Sequence, residues 1–85
     1  MKLSLLVEYA DKKRMPEEPM GDFFEFDSIE EFIYWNREEI DEAINLSPFP
    51  YRVEEWEKIS EKLKNHEFEI RDWEEDSQFV VVSGI

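Results

Sequence analysis

The sequence predicts an α+β domain, an antiparallel sheet of about four strands with two helices on one face, in the order β-β-α-α-β-β. Three observations predict it. Apolar residues alternate with period two near both ends and recur at helical spacing through the middle. Pro48 and Pro50 split the middle into two helices. No strand–helix–strand crossover pattern appears, so strands and helices are segregated along the chain. Eighty-five residues suit one domain spanning 1–85, able to bury roughly 60–65 % of its unfolded surface.

Lys2 to Tyr9 reads as the first strand, with Leu3, Leu5, Val7 and Tyr9 on one face. Asp11 to Met20 holds two prolines and a charge run and reads as an exposed loop. Asp22 to Asp27 is a short second strand, Phe24 and Phe26 on one side and Phe23 on the other. Ser28-Ile29-Glu30-Glu31 fits a capping box, in which the serine hydroxyl and the glutamate satisfy the first free N–H groups. The helix it opens buries Ile29, Phe32, Ile33, Ile40, Ala43 and Ile44, with Asn36 inside the same stripe. It ends in Asn45 to Pro50.

A second helix runs from about Val53 to Lys64, burying Val53, Trp56, Ile59 and Leu63, with Asn65 at its C′ position. His66 to Trp73 alternates again, Phe68 and Ile70 inward. Glu74 to Ser77 turns the chain into a last strand, Gln78 to Ile85. That strand is apolar on both faces, as central strands are, with Phe79 and Val81 on one and Val80 and Val82 on the other. Two helices cover one face only. Leu6, Phe23, Trp73, Val80 and Val82 are therefore expected on the second face, beneath either the 11–20 loop or a partner, a second copy included.

Charge restricts function more than any motif. There are 23 acidic and 10 basic residues, a net of −13, and four of the bases (Lys2, Lys12, Lys13 and Arg14) precede residue 15. Such a surface repels phosphates, so direct nucleic-acid binding is disfavoured and a basic, nucleic-acid-binding protein is the expected partner. The aromatic share of 15 % separates the chain from disordered acidic tails. No apolar run is long enough for a membrane span or a leader, so no membrane partner is expected and the cytoplasm is the expected location.

No catalytic activity, cofactor or metal is expected. The chain has no cysteine, two glycines (Gly21 and Gly84) and one histidine, His66, placed at a helix–strand junction. That leaves no thiolate site and no glycine-rich phosphate loop. Asp72, Glu74, Glu75 and Asp76 lack the spacing of a calcium loop and read as a solvated turn. Glu8 and Asp11-Lys12-Lys13 resemble a nuclease run without the α/β core that such a run needs.

The helix surfaces carry the functional reading. Glu31, Glu38 and Glu42 follow one side of the first helix, flanked by Glu30 and Asp41; Glu54, Glu57 and Glu61 follow the second. Side chains three or four apart on a helix stand about 5–6 Å from one another, a pitch comparable to phosphates along a strand. Glu67 and Glu69 extend the array. A rigid set of carboxylates at this pitch can enter a basic groove in place of nucleic acid. A protein that instead binds a basic toxin, as an immunity protein or antitoxin does, would lean on aromatic anchors, with Tyr34, Trp35, Phe49, Tyr51 and Trp73 as candidates.

Gly21-Asp22-Phe23-Phe24-Glu25-Phe26, the acidic helix after it, and Glu67-Phe68-Glu69-Ile70-Arg71-Asp72-Trp73-Glu74 together resemble a repeated element of the ArdA antirestriction proteins. There an aromatic strand leads into an acidic helix and later into an Ile-x-Asp-aromatic-acid run. Small phage-encoded inhibitors of restriction and CRISPR nucleases are similar in size and charge. The resemblance covers less than half of this chain, with an extra helix between the matched segments. What it implies is the strategy of an acidic DNA mimic, not a particular target.

Overall fold

A computed structural model describes residues 1–11, 18–19, 22–46 and 50–85. The elements are β1 (Lys2–Glu8), β2 (Glu18–Pro19), β3 (Phe24–Glu25), α1 (Ile29–Leu46), α2 (Pro50–Lys64), β4 (Glu69–Glu74) and β5 (Ser77–Ser83). The α+β class holds, and the order matches the expected β-β-α-α-β-β except for β2, a two-residue strand paired to β1 inside the segment expected as a loop. The sheet runs β2-β1-β5-β4, and β3 shares the outer edge of β1 with β2.

The sheet is mixed, not wholly antiparallel. β1 and β5 pair in parallel along their whole length, Lys2 beside Ser77 through to Glu8 beside Ser83. Alternation reports which face a residue takes and says nothing of strand direction, so the parallel pair was invisible in the sequence. Its register decides the faces. Leu5 lies beside Val80 and Val7 beside Val82, which places Val80 and Val82 under the helices and not on the second face. Leu3, Leu5, Val7, Val80 and Val82 form the core with Phe32, Ile33 and Ile40 of α1 and Ile59 and Leu63 of α2.

Leu6, Phe79 and Val81 take the second face, joined by Phe23, and are buried within the single chain. Phe79 meets Phe23 in a tilted ring contact at 4.9 Å and Trp73 edge-on at 5.3 Å. The loop expected to cover this face lies largely outside the described residues. Ile70, expected inward, is exposed, because β4 is the sheet's edge beyond β5 and the helical layer centres on β1 and β5.

Both helix boundaries have local causes. At α1 the serine half of the capping box forms, Glu31 N–H donating to Ser28 Oγ at 3.2 Å, while the Glu31 carboxylate accepts at 2.8 Å from Asp27 N–H, one residue before the N-cap, and not from Ser28. Asn36, polar within the apolar stripe, satisfies its amide by donating to the Phe32 carbonyl at 2.8 Å. α2 starts at Pro50 rather than near Val53; a first-turn proline gives up only an N–H that has no partner there anyway.

At the other end of α2, His66 takes the left-handed position (φ 57°) in place of Asn65. His66 N–H donates to Leu63 O and Glu67 N–H to Lys62 O, the two bonds of a Schellman motif. A side chain in this conformation costs roughly 1–2 kcal/mol. His66→Gly is therefore expected to raise the free energy of unfolding by about 1 kcal/mol, read from the urea midpoint. A lower midpoint would show that the imidazole's packing on Phe68, centroids 5.8 Å apart, outweighs the backbone strain.

Candidate partner-binding surface

The helices bring some of the expected acidic residues together and separate others. Asp41, Glu57 and Glu61 line the outer groove where α1 meets α2, with Arg37, Ile44, Ser60 and Lys64. Ser60 Oγ donates to Asp41 there at 3.2 Å. Glu57 and Glu61 also line an adjoining depression with Glu54, Glu67, Lys58 and Lys62. Asp41, Glu54, Glu57, Glu61 and Glu67 thus form one continuous surface, with Arg37, Lys58, Lys62 and Lys64 interleaved.

Glu30, Glu38 and Glu42 are exposed on the outer side of α1. Glu38 accepts a hydrogen bond from the Tyr34 hydroxyl, and that bond, reinforced by the carboxylate charge, raises the phenol's pKa. Glu31 is half-buried and committed to the helix cap. Glu69 lies apart from the array, beside Val81 on the second face of the sheet.

There Glu69 belongs to a polar cluster next to Leu6, Phe79 and Val81. Arg71 spans Glu69 and Glu8, with Nη2–Oε1 at 2.6 Å and Nη1–Oε1 at 2.9 Å, while Ser83 Oγ donates to Glu8 Oε2 at 3.0 Å. The Arg71 hydrogen bond first, then that from Ser83, holds the Glu8 carboxyl below the ordinary glutamate range. A depressed carboxyl contributes stability above its unfolded pKa and loses it as pH falls through the folded value. Arg71→Gln is expected to return Glu8 towards its ordinary titration and to shrink this acid-side loss, as followed by carboxyl-carbon NMR. If Glu8 titrates unchanged, the Ser83 hydroxyl alone sets it.

The aromatic candidates divide as well. Trp35, Tyr34 and Trp73 are 49 %, 57 % and 60 % exposed; Tyr34 meets Trp35 edge-on at 5.8 Å. Phe49 and the Tyr51 side chain lie outside the described residues. Among the described residues no three potential metal ligands converge, and no helix is long and apolar enough to cross a membrane.

One feature escaped the sequence reading. Between the β1–β3 edge and the N-terminal half of α1 lies a groove of about 350 Å³, floored by Leu3, Leu5, Phe26 and Phe32 and flanked by Phe24 and Trp35. Asp22, Glu25, Glu31 and Glu39 stand around it. Glu31, Trp35 and Glu39 follow at i, i+4 and i+8 on one flank of α1, which was the available signal. What periodicity lacked was the partner wall, set by β3 pairing Phe24 with Leu3. No family model, curated protein or solved structure matches the chain.

Proposed function

We propose that this protein is a non-enzymatic inhibitor that occupies the basic, nucleic-acid-binding surface of another protein, such as a phage-defence nuclease, by presenting carboxylates in place of phosphates. One observation carries the reading. Asp41, Glu54, Glu57 and Glu61, with Glu67 just beyond α2, line a continuous surface on two packed helices, so their backbone positions are set before binding. Arg37, Lys58, Lys62 and Lys64 offset most of that local charge, so the steering of a basic partner, and a steep dependence of association on salt, rest on the excess of acid over the whole chain. The net of −13 and the resemblance to acidic antirestriction mimics support the same reading.

Affinity capture from bacterial lysate, eluted by a salt gradient, tests it. A nucleic-acid-binding protein should elute, duplex DNA should compete for it, and Asp41, Glu54, Glu57 and Glu61 changed together to Lys should abolish capture. Undiminished capture by that variant sinks the reading. A second reading, an immunity protein or antitoxin against a basic toxin, draws on the exposure of Tyr34, Trp35 and Trp73. It predicts one small basic partner that stays bound through high salt whether or not DNA is present.

A further inference from the structure

We infer that the groove between β3 and α1 is a receptor for an arginine side chain carried on an extended basic segment of the partner protein. The inference rests on the reading of this chain as a ligand for a basic protein, and assigns a site apart from the α2 carboxylates. The groove's floor is apolar while its walls hold two half-exposed aromatic rings, Phe24 and Trp35, 60 % and 49 % accessible. Large exposed aromatics flanking one cleft are the usual mark of a binding position.

Charge complementarity selects the occupant. Among the described residues the lining carries four carboxylates and no lysine or arginine. Two are already engaged: Glu25 with the Met1 amine at 3.1 Å, and Glu31 with the helix cap. Asp22 and Glu39 are left facing the cleft. The helix surface differs, since Lys58 and Lys62 stand among Glu54, Glu57, Glu61 and Glu67. A guanidinium matches both components of the groove. Its flat face lies on an aromatic ring, and its N–H fork reaches carboxylates at the rim. An ammonium offers a point charge without the plane. A volume of about 350 Å³ sits at the small end of ligand clefts and admits one or two side chains.

The test titrates the full chain with a short acetylated peptide alternating arginine and glycine, in about 150 mM NaCl, against the same peptide with citrulline for arginine. Amide and indole N–H spectra report the position. Saturable shifts are expected at the Trp35 indole and at the amides of Phe24 and Glu39, with the citrulline peptide binding at least about tenfold more weakly. Trp35→Ala and Phe24→Ala, both at exposed positions, should each weaken binding about tenfold. Changing Glu54, Glu57 and Glu61 together to Lys should weaken it less than about threefold.

Shifts confined to α2, or wild-type affinity in both aromatic variants, overturn the groove. So do groove signals that move with protein concentration and ignore the peptide, because the occupant is then a second copy. Glu39→Gln, which leaves both rings in place, checks the charge component and should weaken binding on its own. A failed groove leaves the lysate capture and its DNA competition intact as an independent result. Failure of that capture rejects the broader reading whatever the peptide does.

Discussion

Phe32→Ala is expected to remove about 3–5 kcal/mol from the free energy of unfolding. Phe32 is 1 % exposed and sits where α1 meets the sheet. Its ring meets Phe26 edge-on at 5.3 Å, and its carbonyl carries the Asn36 amide. Truncation therefore loses apolar burial and leaves a cavity that a helix pinned at its cap cannot readily close. Domains hold roughly 0.05–0.15 kcal/mol per residue, on the order of 4–13 kcal/mol for this chain, so the loss is a large share of the whole. Urea unfolding should show a lower midpoint with an unchanged slope. Phe24→Ala, at a 60 % exposed position, should stay within about 0.5 kcal/mol. Equal costs for the two would mean that the core is not organised around Phe32.

The second large effect is expected from salt. With a net charge of −13 in a body of 37 × 27 × 22 Å, the range of screening decides how much of the molecule repels itself. The Debye length is about 30 Å at 0.01 M salt and about 3 Å at 1 M. In the first case it spans most of the molecule; in the second it reaches only the nearest neighbours. Ion pairs such as Met1 with Glu25 and Arg71 with Glu8 and Glu69 weaken with salt, which opposes the gain from screening the excess negative charge. Raising NaCl between these limits should stabilise the fold by about 1 kcal/mol or more, a rise in Tm of roughly 4–8 °C per kcal/mol for a domain of this size. NaCl and KCl should act alike, because screening depends on ionic strength. A Tm that falls with added salt would make the ion pairs, not the repulsion, the dominant electrostatic contribution.

The parts of the fold legible in the sequence are those set by local chemistry. Ser28 and Glu31 announced the start of α1, and Ile29 to Ile44 announced its buried stripe. Leu3, Leu5 and Val7 announced the inner face of β1. The parts that were not legible depend on contacts between distant residues. The parallel β1–β5 pair moved Val80 and Val82 to the helix side, and the edge position of β4 left Ile70 in solvent.

The candidate surface divides along the same line. Glu54, Glu57 and Glu61 were found because one helix holds them. Asp41 joins them only through the packing of α1 on α2. The Phe24–Trp35 groove was missed because its two walls are eleven residues apart in sequence and are brought together by strand pairing. Glu69 looked like part of the outer array until the register set it on the opposite side of the sheet, against Arg71.

The central parallel pair also sets the order in which the chain can fold. Every β1–β5 partner is 75 residues away, as with Lys2 and Ser77, so the first strand made is the last to find its inner neighbour. During synthesis α1 and α2 can form and meet early through contacts close in sequence, but the sheet cannot close before residues 77–83 have emerged. Contacts of such long separation slow folding, because the loop entropy is lost before the contact rewards it. Until that moment Leu3, Leu5 and Val7 have no β5 to pack beside. Like charge of this size opposes association of unfinished chains while β1 and β5 find each other.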